Sequence, residues 1–130
     1  MSAENVELIK QVEAAFNRGD LDTMVSLLSP DAEWEIAESN PSARTLRGRD
    51  EIRPYLADWR DTVQGLRYEA SRYVDAGDAV VQIGTMTSRV GDGPAELTIP
   101  LALVTRFEDG VPIRIEEYLD VQEAELAAAG

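Results

Sequence analysis

The second half of the chain reads as strands joined by very short connections. After Gly65, four stretches rich in aliphatic and β-branched residues are separated only by DAGD, VGDGP and EDGVP. Short connections that contain glycine join antiparallel neighbours, whereas parallel strands need a crossover of a dozen residues or more. The pattern therefore predicts an antiparallel meander, with strands at about 66–75, 79–90, 95–108 and 112–120.

The first half of the chain predicts helices. Apolar residues recur at helical spacing over residues 4–16, and a shorter helix with Asp20 as its cap follows over 21–28. A third helix begins at about 49–51. It contains Pro54, which is tolerated only in or near the first turn, where backbone N–H groups have no helical partner.

The remaining segments complete the layout. Residues 32–37 predict a short strand, residues 38–50 predict a polar loop, and the Ala-rich end predicts a short terminal helix. Helices followed by a meander indicate an α+β fold, in which three N-terminal helices pack in the concavity of a curved, mainly antiparallel sheet. We expect one domain over residues 1–130, with a hollow suited to a small ligand between helices and sheet.

One residue interrupts the last predicted strand. In IRIEEYLD, residues 113–120, the alternating apolar row is Ile113, Ile115 and Leu119, and its fourth member is Glu117. Alternate residues of a strand share one face, so the pattern predicts a carboxylate on the buried side. There, desolvation would raise its pKa and suit it to acid–base chemistry. The alternative is that a bulge exposes Glu117 or that a structural partner satisfies it.

The composition excludes several kinds of chemistry. The sequence has no cysteine and no histidine, so disulfides, thiol nucleophiles, imidazole catalysis and His- or Cys-ligated metal sites are all excluded. The carboxylates follow no calcium-loop spacing, and we expect neither metal nor cofactor.

The charge and hydropathy of the chain bear on its partners. The formal net charge is −13, which disfavours nucleic acid and anionic lipid. No segment approaches the roughly 18 consecutive apolar residues of a membrane span, and the first residues do not resemble a secretion signal. We therefore expect a cytoplasmic protein that binds neither nucleic acid nor membrane.

Several phrases together resemble the SnoaL-like polyketide cyclase family, within the nuclear transport factor 2-like superfamily. These phrases are AAFNRGDLDTMVSLLSPDAEWE, LRGRDEIRPYL, RFEDGVPIRIEEYLD and EAELAAAG. The resemblance implies a cone-shaped α+β barrel that is commonly a homodimer, with a hydrophobic cavity between helices and sheet. Members include steroid isomerases, polyketide cyclases and limonene epoxide hydrolase, so the fold does not fix the function.

The polar groups of the steroid isomerases have no counterpart in this chain. The resemblance places Val12, Ile36 and Leu103 at their three catalytic positions, and none of these side chains can move a proton. For limonene epoxide hydrolase, the arginine and one aspartate correspond to Gly84 and Met86, whereas the acid on its last strand corresponds to Glu117. The resemblance therefore argues against a steroid isomerase of the usual mechanism and identifies Glu117 as the candidate catalytic residue.

The other candidate residues form the wall of the expected cavity. Trp34, Tyr55 and Trp59 lie on predicted buried stripes and are suited to stack on a flat ligand, although each can equally be plain core. The resemblance places Gln82 on the cavity side. The complete set of candidate ligand-binding residues is Trp34, Tyr55, Trp59, Gln82, Met86, Leu101 and Leu103.

Two functions fit this sequence. The first is a cofactor-free enzyme of the cyclase, hydrolase or isomerase type, which acts on a small hydrophobic or polycyclic molecule and uses Glu117 for proton transfer. The second is a non-catalytic module of the same fold that binds a hydrophobic ligand or dimerises. Loss of the familiar catalytic groups favours the second, and the inward position of Glu117 favours the first.

Overall fold

A computed structural model describes residues 2–37, 43–63, 65–89 and 95–129. Its helices are α1 (Ser2–Asn17), α2 (Leu21–Ser26), α3 (Arg49–Thr62) and α4 (Val121–Ala129). Its strands are β1 (Glu33–Glu35), β2 (Thr45–Arg47), β3 (Arg67–Asp75), β4 (Ala79–Arg89), β5 (Glu96–Glu108) and β6 (Val111–Tyr118). The Asp20 carboxylate caps α2 by accepting the Thr23 backbone N–H, as predicted.

The strands form one sheet in the order β2-β1-β6-β5-β4-β3. The meander from β3 to β6 is antiparallel throughout, and β2 is antiparallel to β1. The pairing of β1 with β6 is parallel and sets Trp34 beside Ile115. This mixed, mainly antiparallel and curved sheet confirms the predicted α+β class.

The three N-terminal helices cover one face of the sheet. Their apolar stripes meet it in a core that includes Phe16, Ile52 and Leu56, with the last two fully buried. Helix α4 covers part of the opposite face, where Ala124 packs on Val104 and its neighbours. The central strands are therefore buried on both faces, which explains why β4 begins with a continuous apolar run rather than an alternating one.

Several details of the fold differ from the predictions. The segment expected to be a loop contains β2, because Leu46 is buried and pairs with Trp34; residues 38–42 of that loop lie outside the described residues. The last strand ends at Tyr118, and Leu119 is 43% exposed because Asp120 starts α4 by accepting two backbone N–H groups. Pro54 lies in the second turn of α3 rather than the first.

A bulge in β3 brings two backbones into close contact. The register between β3 and β4 shifts between Ala70 and Arg72, opposite Gly84. A Cβ atom on Gly84 would lie 2.7 Å from the Ala70 Cα atom and would also collide with the Glu69 carbonyl oxygen. Glycine is therefore required here for close approach of backbones.

Candidate functional site

The structure places Glu117 on the helix-covered face of β6, in line with Ile115. The residue is 7% exposed, and its carboxylate accepts three hydrogen bonds from the described residues. Trp34 Nε1 donates to Oε2 at 2.6 Å, the Tyr55 hydroxyl donates to the same oxygen at 3.2 Å, and the Ala37 backbone N–H donates to Oε1 at 3.2 Å. Trp34 lies on β1, Tyr55 lies on α3, and Ala37 lies two residues beyond the end of β1.

The environment of Glu117 shifts the pKa of its carboxyl group upwards. Burial raises the pKa of Glu117 above its ordinary value of 4.5, and the hydrogen bonds from Trp34, Ala37 and Tyr55 only partly oppose this rise. Burial also raises the pKa of Tyr55, and the adjacent Glu117 charge raises it further. Tyr55 therefore stays protonated and acts as a donor.

Glu117 borders a groove that is open to solvent. The groove has a volume of about 870 Å³ and lies between the end of β1 and α4. Its lining residues are Glu35, Ile36, Ala37, Glu117, Tyr118, Leu119, Asp120, Glu123 and Leu126. The lining therefore combines apolar side chains with carboxylates, and Glu117 is its most deeply buried carboxylate.

A separate cavity lies between the helices and the sheet. Its lining residues are Ile9, Val12, Glu13, Phe16, Met24, Leu28, Trp34, Leu56, Trp59, Tyr68, Gln82, Met86, Leu101, Leu103, Thr105 and Ile115. All the predicted ligand-binding residues except Tyr55 are among them. Glu117 does not line this cavity: Trp34, which donates to its carboxylate, contributes to the cavity wall instead.

The interior cavity is small. Its volume is about 40 Å³, room for roughly three water molecules, whereas pockets that hold drug-sized ligands measure roughly 300–1,000 Å³. A polycyclic molecule does not fit in this cavity as the side chains stand. The groove at Glu117 is large enough for such a ligand, and so is a second groove of about 550 Å³ that is lined in part by Tyr55.

A second carboxylate, Glu13, lies on the interior cavity and was not among the predicted site residues. Glu13 of α1 accepts the Tyr73 hydroxyl at 3.0 and 3.1 Å and the Gln82 side-chain amide at 3.0 Å. Burial raises the pKa of Glu13, and the two hydrogen bonds and the charge of Lys10 oppose this rise. The helical spacing could have predicted this position, since Glu13 is four residues after Ile9 and three before Phe16 on the buried stripe.

The opposite face of the sheet holds a charged cluster. Glu116 is 6% exposed, and it accepts hydrogen bonds from Arg106, Arg114 and Tyr118. Burial alone would raise the pKa of Glu116, but these donors together lower it below 4.5. This cluster therefore stabilises the charged form and is suited to joining strands rather than to proton transfer.

Within the described ranges, no group of three or more Asp or Glu residues is arranged to hold a metal ion. In the same part of the chain, no helix combines the length and apolar character needed to cross a bilayer.

Comparison with known families identifies the chain. The family model described as a SnoaL-like domain matches residues 9–118, which is most of the sequence. The chain therefore belongs to the SnoaL-like domain family, which confirms the resemblance found in the sequence. Among curated proteins, no sequence matches this chain.

Solved structures share this fold over nearly the whole chain. TerC co-crystallised with polyporic acid is 24% identical, with a TM-score of 0.78 and coverage of 98% of this chain and 99% of TerC. An NTF2-like protein of unknown function from Burkholderia pseudomallei is 23% identical, with a TM-score of 0.75 and 98% coverage of both chains. A protein with a ketosteroid isomerase-like fold from Catenulispora acidiphila, in complex with trimethylamine, is 18% identical, with a TM-score of 0.76 and coverage of 95% and 92%. Identities this low establish the fold alone.

Proposed function

We propose that the chain is a small-molecule enzyme of the cyclase, hydrolase or isomerase type, in which Glu117 transfers a proton without a cofactor. One observation carries the proposal: a carboxylate that is 7% exposed, with a pKa raised by burial, borders a groove open to solvent. A carboxyl group with a raised pKa can take up a proton and return it near neutral pH.

The hydrogen bonds to Glu117 leave room for one more. A carboxylate offers about four lone-pair positions, and Oε2 uses two of its own for Trp34 and Tyr55. Among the described residues, Oε1 accepts only the Ala37 N–H, which leaves one position for a proton from substrate or water. Oε1 is therefore the atom to which we assign the transfer, while Trp34 and Tyr55 fix the orientation of the carboxylate.

The groove favours a neutral, largely hydrophobic substrate. Leu119 and Leu126 supply apolar surface, whereas Glu35, Asp120 and Glu123 disfavour an anion. The small organic molecules in the TerC and Catenulispora acidiphila structures support a ligand of modest size. We propose a hydrophobic or polycyclic molecule that lies in the groove with an acidic C–H or O–H group at Glu117.

The experiment uses proton exchange, which does not require the natural substrate. Enolisable cyclic ketones and hydroxyquinones are incubated with the protein in D₂O, and deuterium uptake is followed by mass spectrometry. Glu117→Gln should lower the exchange rate roughly 10²- to 10⁴-fold, the usual contribution of a general acid–base group, while ligand affinity is kept. The matched control is Glu108→Gln, at the exposed last residue of β5. This variant should exchange deuterium at the rate of the native protein.

Two results would contradict the proposal. One is exchange by Glu117→Gln at the native rate, since the proton would then go elsewhere. The other is a compound that binds in the groove and is never exchanged by the native protein. That second result is expected for a non-catalytic module.

The alternative function is a binding or dimerisation module of the same fold. The specific observation in its favour is that the protein's own side chains nearly fill the interior and leave a cavity of about 40 Å³. In that case Glu117 holds β1, β6 and α3 together through its three hydrogen bonds. Sedimentation measurements test the homodimer that the family resemblance implies, and dimerisation together with the absence of exchange would favour this alternative.

A further inference from the structure

The interior cavity has one polar end, formed by α1, β3 and β4. Glu13, Gln82 and Thr105 all line it, and the last two are nearly completely buried. Among the described residues, Glu13 forms no ion pair. Lys10, whose charge acts on Glu13, is exposed and lies over the Tyr73 ring, with its Nζ atom 5.2 Å from the ring centroid.

This polar end presents mainly acceptors. The Glu13 carboxylate has about four lone-pair positions, and its partners among the described residues are the Tyr73 hydroxyl and the Gln82 amide N–H. Because the Gln82 amide nitrogen donates to Glu13, the Gln82 carbonyl oxygen remains as another acceptor. A ligand that complements this end must therefore bring hydrogen-bond donors.

The rest of the cavity wall is aromatic and has few donors to spare. Phe16, Trp34, Trp59 and Tyr68 all contribute to it. The Trp34 N–H is used by Glu117, and the Tyr68 hydroxyl donates to the Leu101 carbonyl oxygen at 2.9 Å. What these side chains offer a ligand is their π-electrons, which attract cations.

We propose that Glu13, Gln82 and this aromatic wall form a recognition site for a small protonated amine, separate from the site at Glu117. A carboxylate and aromatic rings both favour a positive charge, and the carboxylate adds a charge-assisted hydrogen bond. The volume of about 40 Å³ limits the ligand to an ammonium group with a few carbon atoms. The cation would also form an ion pair with the partly buried Glu13 carboxylate, which has none among the described residues.

The test uses isopropylammonium chloride as the probe and 2-propanol as its uncharged counterpart of similar shape. The sequence has two tryptophans, and both line the cavity, so their indole N–H signals report binding directly in NMR spectra. The ammonium ion should shift both signals saturably at neutral pH, whereas 2-propanol and an equal concentration of sodium chloride should not. Equal binding of the alcohol, or no saturable shift in the folded protein, would overturn the proposal.

Two variants separate this site from its surroundings. Glu13→Gln keeps the shape and removes the charge, and it should weaken isopropylammonium binding at least about tenfold, because hydrogen bonds to charged groups are the stronger class. Glu7→Gln changes the net charge equally at an exposed position of the same helix and should bind like the native protein. Unchanged affinity of Glu13→Gln would exclude Glu13 as the recognition group.

A measurement on the native protein covers the case in which Glu13→Gln does not fold. The side-chain carboxyl carbon of Glu13 is titrated by NMR with and without the amine. A bound cation stabilises the carboxylate, so the titration midpoint should move to lower pH, and an unmoved midpoint would overturn the proposal. Glu117→Gln should bind the amine normally, so failure of the proposed proton transfer at Glu117 and failure of this site are distinguishable.

Discussion

Trp34 Nε1 donates to Glu117 Oε2 at 2.6 Å, which joins two side chains that are 83 residues apart in the sequence. The bond spans the parallel pair formed by β1 and β6, where Trp34 lies beside Ile115. Trp34 also contributes to the wall of the interior cavity. A single indole therefore links the carboxylate at the groove to the interior of the fold.

Removing donors from Glu117 should raise its pKa further. Trp34→Phe keeps an aromatic ring but deletes the shortest hydrogen bond, so the carboxylate loses stabilisation of its charged form. We expect a higher titration midpoint for the Glu117 carboxyl carbon, measured by NMR, and a smaller rise in Tyr55→Phe. Tyr73→Phe is the matched control, because its hydroxyl donates to Glu13 and should leave the Glu117 midpoint unchanged. An unmoved midpoint in Trp34→Phe would contradict the hydrogen bond.

Glu117 should make the native protein lose stability as the pH rises. Its folded-state pKa lies above the ordinary 4.5, so its contribution to the free energy of unfolding is fully present below pH 4.5 and declines as the pH rises through the folded-state value. As the pH rises above 4.5, the native protein should therefore lose stability relative to Glu117→Gln. Urea denaturation at a series of pH values measures the difference, and a constant value would count against a raised pKa.

Glu116 should show the opposite dependence. Its folded-state pKa is lowered, so its contribution is present above pH 4.5 and is lost as the pH falls through the lowered value. Glu116→Gln leaves Arg106 and Arg114 without their shared carboxylate and should cost roughly 1–3 kcal/mol at neutral pH, with a smaller cost in acid. Glu125→Gln removes an exposed ion pair with Arg72 and should cost no more than about 1 kcal/mol.

Local patterns in the sequence were enough to predict the fold and the orientation of some side chains. The short connections implied the antiparallel meander, and the two-residue period of β6 put Glu117 on the same face as Ile115. Both signals depend on neighbours within a few residues. Strand β2 was not predicted because three residues are too few to show a periodic pattern. Its pairing with β1, which buries Leu46, is a contact between distant segments.

The composition of the site depended on contacts that the sequence does not reveal. Trp34 and Tyr55 were predicted as cavity walls, but their common bond to Glu117 follows from the parallel pairing of β1 and β6 and from the packing of α3. Glu13 shares a helical stripe with Ile9 and Phe16 but was not among the predicted site residues. The volume of the cavity depends on how the side chains pack against each other, and the periodicity of the sequence does not predict that packing.

The cavity wall should be costly to truncate. Leu56 is fully buried and lines the interior cavity, so Leu56→Ala enlarges that cavity and should lower the free energy of unfolding by about 2–5 kcal/mol. Leu126→Ala is the control, since that side chain is 74% exposed and its loss should change stability by no more than about 0.5 kcal/mol. Urea denaturation measures both, and equal costs would contradict the burial of Leu56.

Gly84 should tolerate no side chain. A Cβ atom at this position would lie 2.7 Å from the Ala70 Cα atom, and backbone, unlike the end of a flexible side chain, cannot move aside cheaply. Exchanging glycine and alanine at an ordinary strand position changes stability by roughly 1 kcal/mol. Gly84→Ala should destabilise the protein by several times that amount or prevent folding altogether. Ser88→Ala, on the same strand but away from the β3 bulge, should leave the thermal midpoint nearly unchanged. If Gly84→Ala melts with the native protein, the β3 bulge does not hold the two backbones this close.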